Sequence, residues 1–178
     1  TDVSREAADM VLADDNFATI VAAIEEGRSI YANIRKFLRY LLSTNLGEVL
    51  VLFLGVVLAA ALGIGADSGE TLLLPLTATM VLWINLVTDS FPALAVGVDP
   101  LDRTLMRRPP RVASEGVIST RMWIGIGVAS VVMATGTLGL LDAGLPGGLI
   151  EGDGDTRYAR TLAFNALVLF QLFDVLCI

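Results

Sequence analysis

Residues 85–92 read Asn-Leu-Val-Thr-Asp-Ser-Phe-Pro, and they interrupt an otherwise apolar segment. The residues that precede Asp89, from 71 to 88, carry no formal charge, and a second apolar run follows from 93 to 98. A carboxylate within a segment of membrane length is costly to place there, so it usually has a function and a partner. This stretch therefore predicts a membrane-spanning helix with a polar site near its middle.

The polar residues of this stretch share one helical face. Asn85, Thr88 and Asp89 stand at positions i, i+3 and i+4, which brings their oxygen atoms to the same side of a helix. Carboxylate, amide and hydroxyl oxygens suit a hard cation. Pro92 lacks a backbone N–H, so we expect the helix to kink or unwind near Asp89 and to free carbonyl oxygens for a site. The alternative is a polar contact that holds two helices together.

The composition of the whole chain indicates a membrane protein. Of its 178 residues 54% are hydrophobic, and the mean hydropathy is +0.71, which is too apolar for an ordinary soluble domain. The uncharged stretches 49–66, 71–88 and 122–141 approach the ~20 residues that span a hydrocarbon core, and 161–173 is a shorter run. We predict an all-α polytopic membrane protein with four transmembrane helices.

The composition also excludes several classes of site. The sequence has no His and a single Cys, so it offers neither a zinc site nor a disulfide framework. A net charge of −7 argues against nucleic-acid binding. Eleven of the twelve basic residues are Arg, which suggests a prokaryotic source. Because the chain begins at Thr1 and ends at Ile178 inside an apolar run, we expect a piece of a longer protein.

The first residues do not belong in a membrane. Residues 1–16 are polar, and they predict a short α/β region, with a buried strand at 10–13 and a turn and helix start at 14–16. From residue 17 the apolar residues recur at helical spacing, while charged residues occupy the other faces. This region is therefore expected to be exposed to water.

A single helix is expected to join this water-exposed part to the first membrane span. No helix breaker intervenes before the apolar stretch that begins at Tyr40, so the sequence predicts one long helix over 17–62. Its first half would form a stalk outside the membrane. The alternative is a pair of helices with a hinge at Gly27.

A second carboxylate lies inside this first span. Asn45 and Glu48 stand at i and i+3, again on one face, and Gly47 allows a neighbouring helix to approach closely. Two carboxylates on consecutive spans, each with amide or hydroxyl neighbours, are a more specific signal than either one alone. Together they predict a cage of oxygen ligands for a cation.

The later segments follow from the remaining apolar runs. The expected segments are a hairpin loop at 63–72, a second span at 73–98, a polar loop at 99–120, a third span at 121–141, an outer loop at 142–157 and an incomplete fourth span at 158–178. Gln171 and Asp174 stand at i and i+3 on the fourth span. They either complete the polar cluster or bridge helices, and we expect Gln171 to contribute to the cluster.

The distribution of charge predicts the orientation. Basic residues cluster before the first span and between the second and third. In the loops 63–72 and 142–156, by contrast, every charged residue is acidic. The positive-inside rule therefore places 1–39 and 99–120 in the cytosol. The expected location is a prokaryotic plasma membrane, so the lipid bilayer is an expected partner. Nucleic acid is not expected as a partner.

Three stretches resemble the P-type cation-transporting ATPases, in particular bacterial or archaeal relatives of the sarco/endoplasmic-reticulum calcium pumps. They are ADMVLADDNFATIVAAIEEGRSIYANIRKFLRYLLSTNLGEV (8–49), WINLVTDSFPALAVGVDP (83–100) and LMRRPPR (105–111). The resemblance implies that residues 1–16 end the phosphorylation domain and that the four spans are the fifth to eighth membrane helices of a pump. It also implies calcium as the transported ion.

The resemblance carries over to individual residues. Asn45 and Glu48 match ligands of the fifth helix. Asn85, Thr88 and Asp89 match ligands of the sixth helix, where Asp89 would bridge two calcium sites. Gln171 stands where the reticulum pump has a Glu ligand, which removes a negative charge, and Ser90 stands where that pump has Gly. These matches make six candidate metal ligands: Asn45, Glu48, Asn85, Thr88, Asp89 and Gln171.

The sequence has neither a DKTGT motif nor a TGDG motif, so it contains no catalytic residue and no cofactor-binding residue of such a pump. ATP and Mg²⁺ would act only through other domains of the same protein, and the chain alone would neither hydrolyse ATP nor pump. Other interpretations stay open. They are a pump for manganese, sodium or protons, a passive channel or carrier, and a piece of chain that only packs.

Overall fold

The computed structural model describes residues 2–12, 16–59, 62, 74–100, 103–110, 116–146, 149–150 and 152–178. Its α-helices are α1 (Asp2–Glu6), α2 (Phe17–Val57), α3 (Ala78–Trp83), α4 (Ser90–Gly97), α5 (Thr120–Ala143) and α6 (Thr156–Leu176). A π-helical turn, Ile84–Asp89, joins α3 to α4, and a 3-10 turn covers Arg103–Arg107. Within these described ranges four helices, with Ala78–Gly97 taken as one, are long and apolar enough to cross a membrane. The predicted all-α polytopic membrane fold is confirmed.

The long helix α2 is continuous. Asn16 caps it, because its side-chain oxygen accepts a hydrogen bond from the backbone N–H of Ala18 at 3.1 Å. The helix passes through Gly27 without a break, so the single long helix is confirmed and the hinge alternative is wrong. Its 41 residues extend about 60 Å, roughly twice the thickness of a hydrocarbon core. A large part of α2 therefore projects beyond the membrane.

The predicted strand near the start of the chain is wrong. Residues 10–12 form no strand, and Met10 and Val11 are exposed rather than buried. A strand needs a neighbouring strand to pair its backbone groups, and the described part of the chain contains none. Residue 13 and the first two residues of the predicted turn lie outside the described residues. The predicted α/β region is thus represented by the short helix α1 alone.

The last two helices begin at side-chain caps. The Ser119 hydroxyl accepts from the backbone N–H of Met122 at 3.3 Å, and the Asp155 carboxylate accepts from that of Tyr158 at 2.7 Å. Because these caps set the helix starts, α5 and α6 begin at Thr120 and Thr156. Helix α2 ends at Val57 and α3 begins at Ala78, inside the spans predicted from hydropathy. The predicted hairpin at 63–72 lies outside the described residues.

Helix α5 packs between α2 and α6 and holds the bundle together. Where α2 meets α5, a Cβ on Gly47 would lie 3.2 Å from the Met133 sulfur, so only a small residue allows this approach. Where α5 meets α6, a Cβ on Gly136 would collide with the Phe170 ring. The buried apolar side chains that fill these contacts include Val51, Leu76, Ile84, Leu138 and Leu167.

At the end of the bundle rich in basic residues, the chain that follows α4 is tied to α2. The Arg28 guanidinium donates to the carbonyl oxygens of Leu105 and Arg108, both at 2.8 Å. The Asn33 amide donates to the carbonyl of Asp99 at 3.1 Å, and Lys36 forms an ion pair with the Asp99 carboxylate. These contacts therefore tie the projecting part of α2 to the segment that follows α4.

At the opposite end, a buried carboxylate organises the connection between α5 and α6. Asp142 is 2% exposed, and its two oxygens accept hydrogen bonds from the backbone N–H groups of Leu149 at 3.0 Å and Ile150 at 2.8 Å. Nearby, a Cβ on Gly144 would lie 2.8 Å from the Cα of Ala159, so the connection folds tightly against α6. Asp142 therefore ties the connection to the end of α5.

Replacement of Asp142 tests this account. In Asp142→Ala the backbone N–H groups of Leu149 and Ile150 lose their buried acceptor, and we expect the free energy of unfolding to fall by about 1 kcal/mol. Thermal unfolding of the protein in detergent, followed by circular dichroism, measures the change. The exposed Asp153 on the same connection provides the control, because Asp153→Ala removes a carboxylate without a buried partner. Equal midpoints for the two variants would contradict the assigned role.

Candidate cation-binding site

The π-helical turn shapes the candidate site. The expected unwinding near Asp89 is not observed, because the chain stays helical from Ala78 to Gly97. Instead the backbone widens over Ile84–Asp89, just before Pro92. Pro92 has no N–H to donate to the carbonyl four residues earlier, which belongs to Thr88. The helix is therefore disturbed at the predicted position, by a π-helical turn and not by unwinding.

A tyrosine from α2 satisfies the carbonyl that Pro92 leaves free. The Tyr40 hydroxyl donates to the backbone oxygen of Thr88 at 2.8 Å, and Tyr40 is completely buried. This bond docks α2 against the π-helical turn. Tyr40 is not among the residues predicted for the site, although its spacing offered a signal, since Tyr40, Thr44 and Glu48 follow one another at i+4 on one face.

Glu48 joins three membrane helices. It is only 4% exposed. One of its carboxylate oxygens accepts a hydrogen bond from the Asn85 amide at 2.9 Å, and the other accepts one from the Gln171 amide, also at 2.9 Å. The three side chains come from α2, the π-helical turn and α6. The expected contribution of Gln171 to the polar cluster is therefore seen as a contact with Glu48.

Asp89 has far weaker support than Glu48. It is 4% exposed, and one oxygen accepts a long hydrogen bond of 3.4 Å from the Asn45 amide. Its other oxygen is buried and has no hydrogen-bond partner among the described residues, although the Thr44 side chain lies near this carboxylate, and the amide oxygen of Gln171 is likewise unpaired there. Buried acceptors are almost always hydrogen-bonded, so two unpaired ones at one site need an explanation such as a bound ion.

The structure gathers the six predicted residues at one level of the bundle. Glu48 contacts Asn85 and Gln171, and Asp89 contacts Asn45, while the two carboxylates are near enough for their charges to interact. Thr88 is buried in the same turn, but its hydroxyl makes no hydrogen bond to the other five residues. Among the described residues no group of three or more His, Cys, Asp and Glu is placed to hold a metal. Any cation here would need the amide oxygens as well as the two carboxylates.

Asp174 lies apart from this cluster. Its carboxylate accepts a hydrogen bond from the hydroxyl of Ser43, which ties α6 to α2 nearer the basic end of the bundle. The Tyr40 carbonyl, 2.9 Å from the same Ser43 oxygen, is an alternative acceptor for its one proton, and Ser130 on α5 donates to the carbonyl of Ser43. Of the two roles considered for Asp174, the structure gives it the bridge between helices.

The fold and these contacts define a polytopic helical membrane protein that carries paired buried carboxylates lined by amides. The chain belongs to the cation-transporting ATPases, since a family described as cation transporting ATPase, C-terminus, matches residues 73–178. This match covers the π-helical turn, Asp89 and Gln171. The family match does not include α2, which is covered by the matches to individual relatives.

Several curated relatives match almost the whole chain. A calcium-transporting ATPase of Bacillus subtilis (strain 168) is 43% identical over 176 residues, which are 98% of this chain and 18% of that protein. The calcium-transporting ATPase type 2C member 2 of Rattus norvegicus is 36% identical over 176 residues, or 99% of this chain and 17% of that protein. The endoplasmic reticulum-type calcium-transporting ATPase 4 of Arabidopsis thaliana is 44% identical over 140 residues, or 79% of this chain and 12% of that protein. The chain thus spans less than a fifth of these relatives.

The contact between Tyr40 and Thr88 yields a direct test of the site's architecture. In Tyr40→Phe the Thr88 carbonyl has neither Tyr40 nor the N–H of residue 92 as a donor, so we expect the free energy of unfolding to fall by about 1–3 kcal/mol. Thermal unfolding in detergent measures this, with Tyr158→Phe as the control because Tyr158 is exposed. An unchanged midpoint for Tyr40→Phe would show that the hydroxyl does not support the π-helical turn.

Proposed function

We propose that this chain is the cation-binding part of the membrane domain of an ATP-driven calcium pump, and that Glu48 and Asp89 hold the transported ion. The observation that carries the proposal is the pair of unsatisfied acceptors, on Asp89 and Gln171, in a buried site with two carboxylates. Membrane-embedded carboxylates without a basic partner are expected to serve an ion pathway. The calcium-transporting relatives support calcium as that ion.

The donor set fits a hard divalent cation. Two carboxylates carry a charge of −2 when ionised, which one Ca²⁺ neutralises, and calcium takes six to eight oxygen ligands in flexible geometry. Four further oxygens are available from the side chains of Asn45, Asn85, Thr88 and Gln171. Because Gln171 is uncharged, the site has two carboxylates and not three. The residue at position 171 would therefore influence which ion the site prefers.

The amides would change role when an ion binds. Asn85 and Gln171 now point N–H groups at Glu48, which compensates its buried charge. A side-chain amide carries an oxygen on its other side, so rotation about its last bond replaces a donor by an acceptor. We propose that these amides donate to Glu48 in the ion-free state and turn their oxygens to calcium in the loaded state.

The long helix would couple the site to ATP hydrolysis elsewhere in the complete protein. Glu48 lies on the same continuous helix as Arg28, Asn33 and Lys36, which hold the segment after α4. A pull on this helix would move Glu48 relative to Asp89 and change the affinity for the ion, as a transport cycle requires. In this proposal residues 1–16 end a phosphorylation domain, and other domains bind ATP and Mg²⁺.

The orientation completes the proposal. The basic residues of 1–39 and 99–120 would face the cytosol, and the acidic connection between α5 and α6 would face outward. Calcium would then enter from the side that carries the stalk and leave on the opposite side, in exchange for protons on the two carboxylates. The expected location is the plasma membrane of a prokaryote.

Removal of either carboxylate is the main functional test. In the complete protein, reconstituted in vesicles, we expect Glu48→Gln or Asp89→Asn to lower the apparent calcium affinity of ATP hydrolysis at least about tenfold, because each removes a charged ligand. Asp153→Asn, an exposed outer carboxylate, serves as the matched control. Unchanged calcium dependence in both site variants would refute the assignment. Dependence on another cation with the same two acids would keep the pump and replace the ion.

Gln171 provides a test of ion preference. Gln171→Glu adds a third carboxylate beside Glu48, and we expect it to favour divalent over monovalent activation, because the added charge attracts Ca²⁺ more than Na⁺. The readout is the ratio of ATPase activation by calcium, manganese and sodium. If this ratio does not move, Gln171 is a structural bridge between helices and not a ligand.

A passive carrier is the alternative from a different class. It would move calcium across liposomes down a gradient without ATP, and flux through the purified chain alone would support it. A pump would move calcium only with ATP and in the complete protein.

A further inference from the structure

A cavity of about 420 Å³ opens between α2 and α5 at the basic end of the bundle. Four cationic side chains line it: Arg35, Lys36, Arg39 and Arg121. Ser119, Met122, Gly125 and Ile178 complete the wall. A Cβ on Gly125 would make an ordinary van der Waals contact, at 3.9 Å, with the Arg39 guanidinium. Because Gly125 has no side chain, the space in front of the guanidinium stays open.

The charge of this basic pocket is only partly neutralised. Lys36 is paired with Asp99, and the Arg39 guanidinium is within electrostatic range of Asp174. Arg35 and Arg121 have neither a hydrogen bond nor an ion pair with any described residue. Arg121 also sits in the first turn of α5, where the positive end of the helix dipole disfavours a cation and favours an anion. The pocket therefore has an excess of positive charge.

The position of the pocket matches the headgroup level of a bilayer. On α2 the apolar stretch begins directly after Arg39, and on α5 it begins directly after Arg121. The two arginines thus mark the same boundary between water and hydrocarbon on two adjacent helices. The exposed Trp123 lies two residues further along α5, and aromatic side chains concentrate at membrane interfaces. Phosphate groups of the lipids occupy this level.

We propose that the basic pocket binds the phosphate headgroup of an anionic membrane phospholipid. Basic pockets between membrane helices are suited to such headgroups, and guanidinium groups match phosphate oxygens in geometry as well as charge. The phosphate lies between Arg35 and Arg121, and the acyl chains run down the apolar outer surface of α5. The lipid then contacts the stalk helix at the point where it enters the membrane, so its presence stiffens the joint between α2 and α5.

The first test measures lipid selectivity. The complete protein, purified in mild detergent, is mixed with equal amounts of phosphatidylglycerol and phosphatidylcholine that have identical acyl chains, and bound lipids are counted by native mass spectrometry. We expect a preference for phosphatidylglycerol, which Arg35→Gln and Arg121→Gln each lower about fivefold. Arg157→Gln is the control, because Arg157 is an exposed arginine in the first turn of α6 at the opposite end. A preference that both pocket variants leave intact would overturn the proposal.

A second pair of variants keeps every charge in place. Gly125→Leu fills the space before the Arg39 guanidinium and should abolish the preference, whereas Gly127→Leu should not, because nothing lies within 4 Å of its Cβ. Equal preferences in these two variants would also overturn the proposal. Millimolar inorganic phosphate should leave the preference of the unchanged protein intact. If free phosphate removes it, the pocket is a site for soluble anions and the lipid assignment is wrong.

Discussion

The burial of the Glu48 carboxylate is the constraint on which the rest of the bundle depends. An ionised carboxylate within the membrane is tolerated only with donors supplied by the protein, and Glu48 receives them from Asn85 and Gln171. These donors belong to the π-helical turn and to α6, so the requirement fixes two helices around α2. The small residues of α5 then allow the close packing that holds this arrangement.

The π-helical turn answers a second constraint, which Pro92 imposes. The carbonyl of Thr88 loses its backbone donor and gains the Tyr40 hydroxyl instead. The segment Ala78–Gly97 can therefore remain helical and still carry polar side chains within the membrane. Because Tyr40 lies between the stalk part of α2 and Glu48, the same contact links the projecting half of α2 to the candidate site.

The membrane helices and the polar cluster could be predicted from the sequence, because a charged residue inside an apolar run is a strong local signal. The four helices and the residues of the polar cluster followed from that signal and from spacing. The partner of each side chain could not be predicted, since Asp174 and Gln171 differ in role although they stand one turn apart on α6. The prediction of a strand at 10–13 is wrong over the described residues 10–12, because it was based on the local sequence alone. A strand forms only when a neighbouring strand pairs with its backbone. The basic pocket required the relative placement of α2 and α5.

The central claim is that Glu48 and Asp89 share a transported calcium ion. Structure determination of the complete protein in calcium, with anomalous scattering to locate the ion, tests it most directly. The account predicts a calcium peak with oxygens of both carboxylates at about 2.3–2.6 Å, and with the Asn85 and Gln171 amides turned so that their oxygens face it. A calcium-loaded structure in which Asn85 and Gln171 still donate to Glu48, with the ion bound elsewhere, would contradict it.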